Sequence, residues 1–132
     1  MTIGLKYVRH GFGSARPYVY GHLSLWPLVQ GAFGAVELER HQMGPNAFHI
    51  EARIGDSMIV LEVADPPHAG ATAGSIYIYV PDAESAYRRA LELGASAVAP
   101  PEDKPYQERA AGVHDSSGNT WWISTYRGEP PA

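Results

Sequence analysis

Residues 108–125, ERAAGVHDSSGNTWWIST, decide the fold. Read with a period of two, ERAAGVHD (108–115) and NTWWISTY (119–126) are strands joined by the polar, glycine-containing turn SSGN. Strand alternation sends Trp121 and Trp122 to opposite faces. One indole belongs to a core, and the other needs a different explanation.

Working outward toward the N-terminus, SAVAPP (96–101) reads as a further strand. PDAESAYRRALELGA (81–95) is the clearest helix in the chain. Pro81 and Asp82 open it, Ala86, Ala90 and Leu93 line one face with Leu91 and Tyr87 beside them, and Gly94 closes it. GSIYIYV (74–80) alternates strictly, placing Ile76, Ile78 and Val80 on one face and Ser75, Tyr77 and Tyr79 on the other.

The same order stands once before. SARPYVYGH (14–22) reads as a strand, and Leu25, Leu28, Val29 and Phe33 have helical spacing. Ser24 is placed to cap that helix, Pro27 suits its first turn, and Gly34 stops it. VELERHQ, FHIEARIG and SMIVLEV follow as strands, with turns at Gly44-Pro45-Asn46 and Gly55-Asp56. FGA and LGA recur after the two helices, and GDS and SSGN recur before the two last strands. ADPPHAGATAG (64–74) reads as the linker. The pattern predicts a single α+β domain of two tandem βαβββ modules, about 14–63 and about 75–126. Their curved mixed sheets would surround a concave groove, with the helices on the outer side.

Composition narrows the function. A chain of 132 residues, 45% hydrophobic and 18% charged, is an ordinary globular domain. A net charge of −4 without a cluster of basic residues argues against nucleic acid as partner. The absence of cysteine excludes a disulfide, a thiolate nucleophile and a Cys-ligated metal. The N-terminal stretch lacks the apolar core of a leader and no run is long enough to span a membrane, so the expected location is cytoplasmic. HExxH, P-loop, GxSxG and GxGxxG patterns are all missing.

Gly34-Ala35, HIEARIGDSMIVLEVAD (49–65), YIYVPDAESAYRRALELGA (77–95) and PYQERAAGVHDSSGNTWWIST (105–125) resemble the glyoxalase/bleomycin-resistance/dioxygenase (vicinal oxygen chelate) superfamily, over about residues 14–126. The resemblance implies that enzymes of this kind hold a divalent metal with His, Gln or Glu from the first and last strands of each module. Those positions here carry Arg16, Glu62, Ser75 and Trp122. Glu62 alone is a competent ligand: a guanidinium and an indole offer no lone pair, and a neutral hydroxyl is a poor donor. A catalytic metal ordinarily needs three protein ligands. The resemblance is therefore to the metal-free, antibiotic-binding members, which implies no metal, no cofactor and no catalytic residue. It also implies a homodimer with grooves shared between chains. The alternative is a lyase, isomerase or dioxygenase using Glu62 with a divalent metal, helped by His49 or His114, or using Glu62 as a base.

Alternation then fills the groove. With Trp122 inward, Thr120 and Ser124 join it while Trp121 and Ile123 face the helices. Ser75, Tyr77 and Tyr79 line the groove from one strand, Arg16, Tyr18 and Tyr20 from another, and Met58, Val60 and Glu62 from a third. Glu62 would pair with Arg16 across it. The segment EDKPYQERAAG (102–112) reads as a loop at the entrance, bringing Tyr106 and Arg109 to the ligand. His10, His22, His41 and His68 read as spectators. The groove so drawn is aromatic, suited to stacking a planar or hydrophobic small molecule, including a peptide antibiotic with a flat chromophore.

Overall fold

The computed structural model describes residues 4–129. Residues 1–3, part of the stretch read for a leader, lie outside them. The first module runs β1 (Tyr18–Gly21), α1 (Leu25–Phe33), β2 (Val36–Gly44), β3 (Ala47–Ile54) and β4 (Ser57–Ala64). The second runs β5 (Ser75–Tyr79), α2 (Ala83–Glu92), β6 (Ser96–Lys104), β7 (Glu108–His114) and β8 (Thr120–Tyr126). Each builds a four-stranded sheet of the same topology, ordered β1-β4-β3-β2 and β5-β8-β7-β6. In each, the first and last strands pair in parallel and the others antiparallel, so both sheets are mixed. The two tandem βαβββ modules read from the sequence are present.

Both helices follow from local chemistry. The Asp82 carboxylate accepts the backbone N–H groups of Glu84 at 3.1 Å and Ser85 at 3.2 Å, satisfying two orphan donors of α2. α1 ends where Gly34 turns left-handed at φ 72°, a conformation glycine adopts without a Cβ penalty. Ser24 does not cap α1. Its backbone is already helical, and its hydroxyl lies 3.2 Å from that of Ser116.

One core spans both modules. Leu25, Leu28, Val29 and Phe33 of α1 and Ala83, Ala86 and Ala90 of α2 meet Ile59, Leu61 and Val63 of β4 and Trp121 and Ile123 of β8. The Phe33 and Trp121 rings lie 5.1 Å apart. Trp121 is wholly buried, which removes about 200 Å² from water and is worth about 5 kcal/mol before entropy is counted. Its indole N–H donates to Asp115 at 2.9 Å.

Asp115 also accepts the backbone N–H groups of Ser117 (2.8 Å) and Asn119 (3.1 Å) and the Asn119 side-chain amide (2.9 Å). The Asn119 side chain in turn accepts from Gly74 N at 2.7 Å. The Asp…Gly-Asn-aromatic turn is thus a closed hydrogen-bond knot that fixes β8 beside the start of β5.

Two strands depart from expectation. The first is shorter than SARPYVYGH because Pro17 has no N–H to give a ladder, so pairing begins at Tyr18. β6 is longer than SAVAPP, reaching Lys104 through Pro100 and Pro101. As an edge strand it tolerates them, and register shifts between Ala97 and Glu102 absorb the misfit. The segment read as an entrance loop is therefore mostly strand, with its turn confined to residues 105–107. Among the described residues no helix is long and apolar enough to cross a membrane.

Candidate functional site

The helices cover one face of each sheet, and the other face carries the polar and aromatic side chains. In module one, cross-strand register sets Tyr18, Val60, Glu51 and Glu39 in one row and Tyr20, Glu62, His49 and His41 in the next. Tyr18 donates to Glu62 at 2.7 Å. The His49 ring bridges two carboxylates, with Nδ1 on Glu62 and Nε2 3.2 Å from Glu51. Burial pushes the His49 pKa down, but the bonds to Glu62 and Glu51 outweigh it and hold the imidazole above the ordinary histidine value.

The segment before β1 folds over this face. The Arg16 guanidinium donates to the Glu51 carboxylate and to the carbonyls of Arg9, Gly13 (2.8 Å) and Phe12 (3.1 Å). Arg9 and His10 both reach Glu39, the latter at 3.1 Å. Hydrogen bonds from Arg9 and His41 draw the Glu39 pKa down to about 2. Gly13, at φ 75°, rests on Met58, where a Cβ would come within 2.9 Å of the Met58 side chain. Met58 is consequently covered, at 1% exposure.

Module two carries Ser75, Tyr77 and Tyr79 from β5, Thr120, Trp122, Ser124 and Tyr126 from β8, and Glu108, Ala110, Gly112 and His114 from β7. Trp122 lies on Gly112: a Cβ there would fall 2.6 Å from the indole ring. Glu108 accepts three hydroxyls, from Tyr77, from Tyr79 at 2.6 Å and from Ser124 at 2.7 Å. Those bonds lower its pKa, and burial with the bond to Glu108 pushes Tyr77 up to about 12.

Three recesses adjoin these faces. One of about 360 Å³ is bordered by Tyr18, Tyr20, Met43, Glu62 and His68. A neighbouring one of about 270 Å³ is lined by Tyr20, His22, His68 and Ser117. A third, of about 230 Å³, lies between the β3–β4 turn and β5, with Tyr77 and Tyr79 in its wall.

A family model matches residues 29–123, described as the Glyoxalase/Bleomycin resistance protein/Dioxygenase superfamily. The chain belongs to that superfamily. Solved structures share the fold at low identity. TioX from Micromonospora sp. ML1 is 20% identical, covers 86% of this chain and 99% of its own, and has a TM-score of 0.66. A glyoxalase-related enzyme from Fulvimarina pelagi is 16% identical, with coverage of 97% and 94% and a TM-score of 0.67. The fosfomycin resistance protein FosX from Mesorhizobium loti is 18% identical, with coverage of 89% and 92% and a TM-score of 0.61. No curated protein sequence matches the chain.

Against the superfamily's metal-holding strands, the donor set here does not fit a metal. In register, β1, β4, β5 and β8 present Tyr20, Glu62, Tyr77 and Trp122, so Tyr20 and Tyr77 stand where Arg16 and Ser75 were expected. Glu62 is already shared by His49 and Tyr18, and an indole offers no lone pair. Among the described residues no three His, Asp or Glu side chains are grouped to hold an ion.

The residues singled out from the sequence are distributed as follows. Tyr18, Tyr20 and Glu62 share the open face of module one, and Ser75, Tyr77, Tyr79 and Trp122 share that of module two. Tyr106 stands exposed on the β6–β7 turn. Three placements are corrected. Arg16 precedes β1 and pairs with Glu51, so the Arg16–Glu62 pair does not form. Arg109 alternates to the helix-bearing face, where it binds Glu84 of α2 at 2.6 Å. Met58 lies under Gly13 rather than in an open groove. Glu51, Glu108 and Gly112 were missed. The alternation of ERAAGVHD puts Glu108 and Gly112 on one face with His114, a signal overlooked because residues 102–112 also read as an entrance loop.

Proposed function

We propose that the protein is a non-catalytic binder of a planar or hydrophobic small molecule, an antibiotic or related metabolite, serving drug resistance or self-protection. It holds its ligand by stacking on the open-face rings, with neither metal nor cofactor, and acts as a cytoplasmic homodimer. One observation carries this reading: Trp122 is seated on side-chain-free Gly112, partly exposed, on the face that also presents Tyr77 and Tyr79. A ring held in this way presents a rigid surface, and each stacked pair adds about 0.5–1.5 kcal/mol beyond the area it buries. The superfamily's name includes bleomycin resistance proteins, and FosX is by name a resistance protein, which supports the class without fixing the ligand.

The test is titration with a planar chromophore such as a quinoxaline, read by tryptophan fluorescence. Quenching in the natural protein that disappears in Trp122→Ala supports the proposal. Equal quenching in both proteins refutes stacking on this ring.

A second reading, an enzyme, is favoured by the His49–Glu62 contact, since a histidine oriented by carboxylates is the usual form of a general base or acid. Turnover of a ligand that is lost in His49→Gln would establish it.

A further inference from the structure

The two open faces treat their carboxylates differently. In module one each has a cation or an imidazole from the same chain: Arg9 and His10 on Glu39, Arg16 on Glu51, His49 on Glu62. In module two, Glu108 is 8% exposed and meets three hydroxyls, but among the described residues no Lys, Arg or His lies within ion-pair distance of it. Its cross-strand neighbour Lys104 turns away to Glu102, and Arg109 to Glu84. The hydroxyl bonds favour the ionised form, so this face keeps a buried negative charge without a counter-ion.

Around that charge stand tyrosines. Tyr77 and Tyr79 meet edge to face at 64°, their centroids 5.6 Å apart, forming two walls of a corner. Tyr126 is the direct cross-strand partner of Glu108. Tyr106 stands on the adjoining β6–β7 turn, two residues before Glu108. Tyr79 is 60% exposed and Tyr106 55%, so the rings are open to a ligand. Aromatic faces around a negative centre attract cations, alkylated ammonium groups above all.

We infer that this corner is a cation subsite, in which Glu108 with Tyr77, Tyr79, Tyr106 and Tyr126 receives a tertiary or quaternary ammonium group of the ligand. The inference rests on the small-molecule-binding reading and adds the ligand's chemistry. The degree of alkylation follows from a count of acceptors. A carboxylate offers about four lone-pair sites. Three on Glu108 are taken by Tyr77, Tyr79 and Ser124, leaving one. A tertiary ammonium brings one N–H and a quaternary ammonium none, so both are satisfied here. A primary ammonium brings three and a guanidinium five; beyond that site they would meet only ring faces and hydroxyl oxygens already donating to Glu108, weaker partners than the water they give up.

The experiment titrates the full chain with tetramethylammonium, trimethylammonium, methylammonium and neutral tert-butanol, read by NMR shifts of the tyrosine rings. A quinoxaline is titrated in parallel, read by Trp122 fluorescence. The expected order is tetramethylammonium and trimethylammonium well ahead of methylammonium and tert-butanol. Glu108→Gln should weaken the alkylated cations about tenfold, and Tyr79→Leu, at an exposed position, should weaken them without unfolding the chain. Equal binding of tert-butanol, preference for methylammonium, or cation binding indifferent to both substitutions overturns the inference. If quinoxaline binds and the cations do not, the subsite falls and the stacking groove stands. If the cations bind through Glu108 and quinoxaline does not, the groove falls and the subsite stands. If neither binds, both fall.

Discussion

The Asn119 side-chain amide donates to the Tyr20 carbonyl at 2.9 Å, across 99 residues of chain, and so fastens the first strand of module one to the last turn of module two. The same buried side chain serves Gly74 and Asp115. Asn119→Ala would leave the part-buried Tyr20 carbonyl and Gly74 N–H without this partner. The expected cost is about 2–4 kcal/mol, measured by urea unfolding. A loss under about 1 kcal/mol would mean that this side chain does not couple the modules.

Trp121 and Trp122 should separate cleanly. Trp121→Ala empties the core beside Phe33 and strands an Asp115 acceptor, for an expected loss of about 3–5 kcal/mol. Trp122→Ala removes a partly exposed ring and should cost about 1–2 kcal/mol while abolishing chromophore quenching. Comparable stability losses in the two variants would contradict the assignment of faces.

Arg16 holds residues 9–13 by three carbonyls and ties them to Glu51. Arg16→Ala should speed amide exchange of Leu5 and Gly11, whose N–H groups donate to the carbonyls of Gly11 and Val8, by about tenfold or more. Arg16→Lys should not restore protection, because an ammonium cannot serve a carboxylate and several carbonyls from one planar fork.

Stability should fall away at both ends of the pH scale, for opposite reasons. His49 has a raised folded pKa, so its contribution is complete below the unfolded value of about 6.5 and is lost as pH rises through the folded one. Glu108 has a lowered folded pKa, so its contribution is complete above about 4.5 and is lost as pH falls through the folded one. Melting temperature against pH should therefore lose part of its alkaline slope in His49→Gln and part of its acid slope in Glu108→Gln. Each effect is bounded by about 1.4 kcal/mol per pH unit for one proton. Glu39, also held low, keeps some acid slope in the second variant.

The fold was legible because it is periodic. Strict alternation in GSIYIYV, the aromatic and β-branched run of NTWWISTY, the Asp82 and Gly94 punctuation and the duplicated order of elements are local signals, and tertiary packing reinforced each of them. Half of the site followed from the same alternation, which set Tyr18, Tyr20, Tyr77, Tyr79 and Trp122 on open faces. What was not legible is pairing at a distance. Nothing within a few residues of Arg16 says that its partner is Glu51, 35 positions on, rather than Glu62. Arg109 and Glu108 are adjacent, and which one faces the ligand is set by the register of β7 on β8, which pairs Glu108 with Tyr126 and Gly112 with Trp122. The prolines of β6 obscured how far that strand runs, since Pro in a strand normally argues against one.

Gly112 gives the chain an evolutionary constraint. Any side chain at that position forces the neighbouring indole to move, so a substitution at 112 is best accommodated where position 122 carries a smaller residue. The two sites should therefore change hands together, and the pair can be used as a genotype. Chains that retain both are the ones in which to look for the same preference among guests.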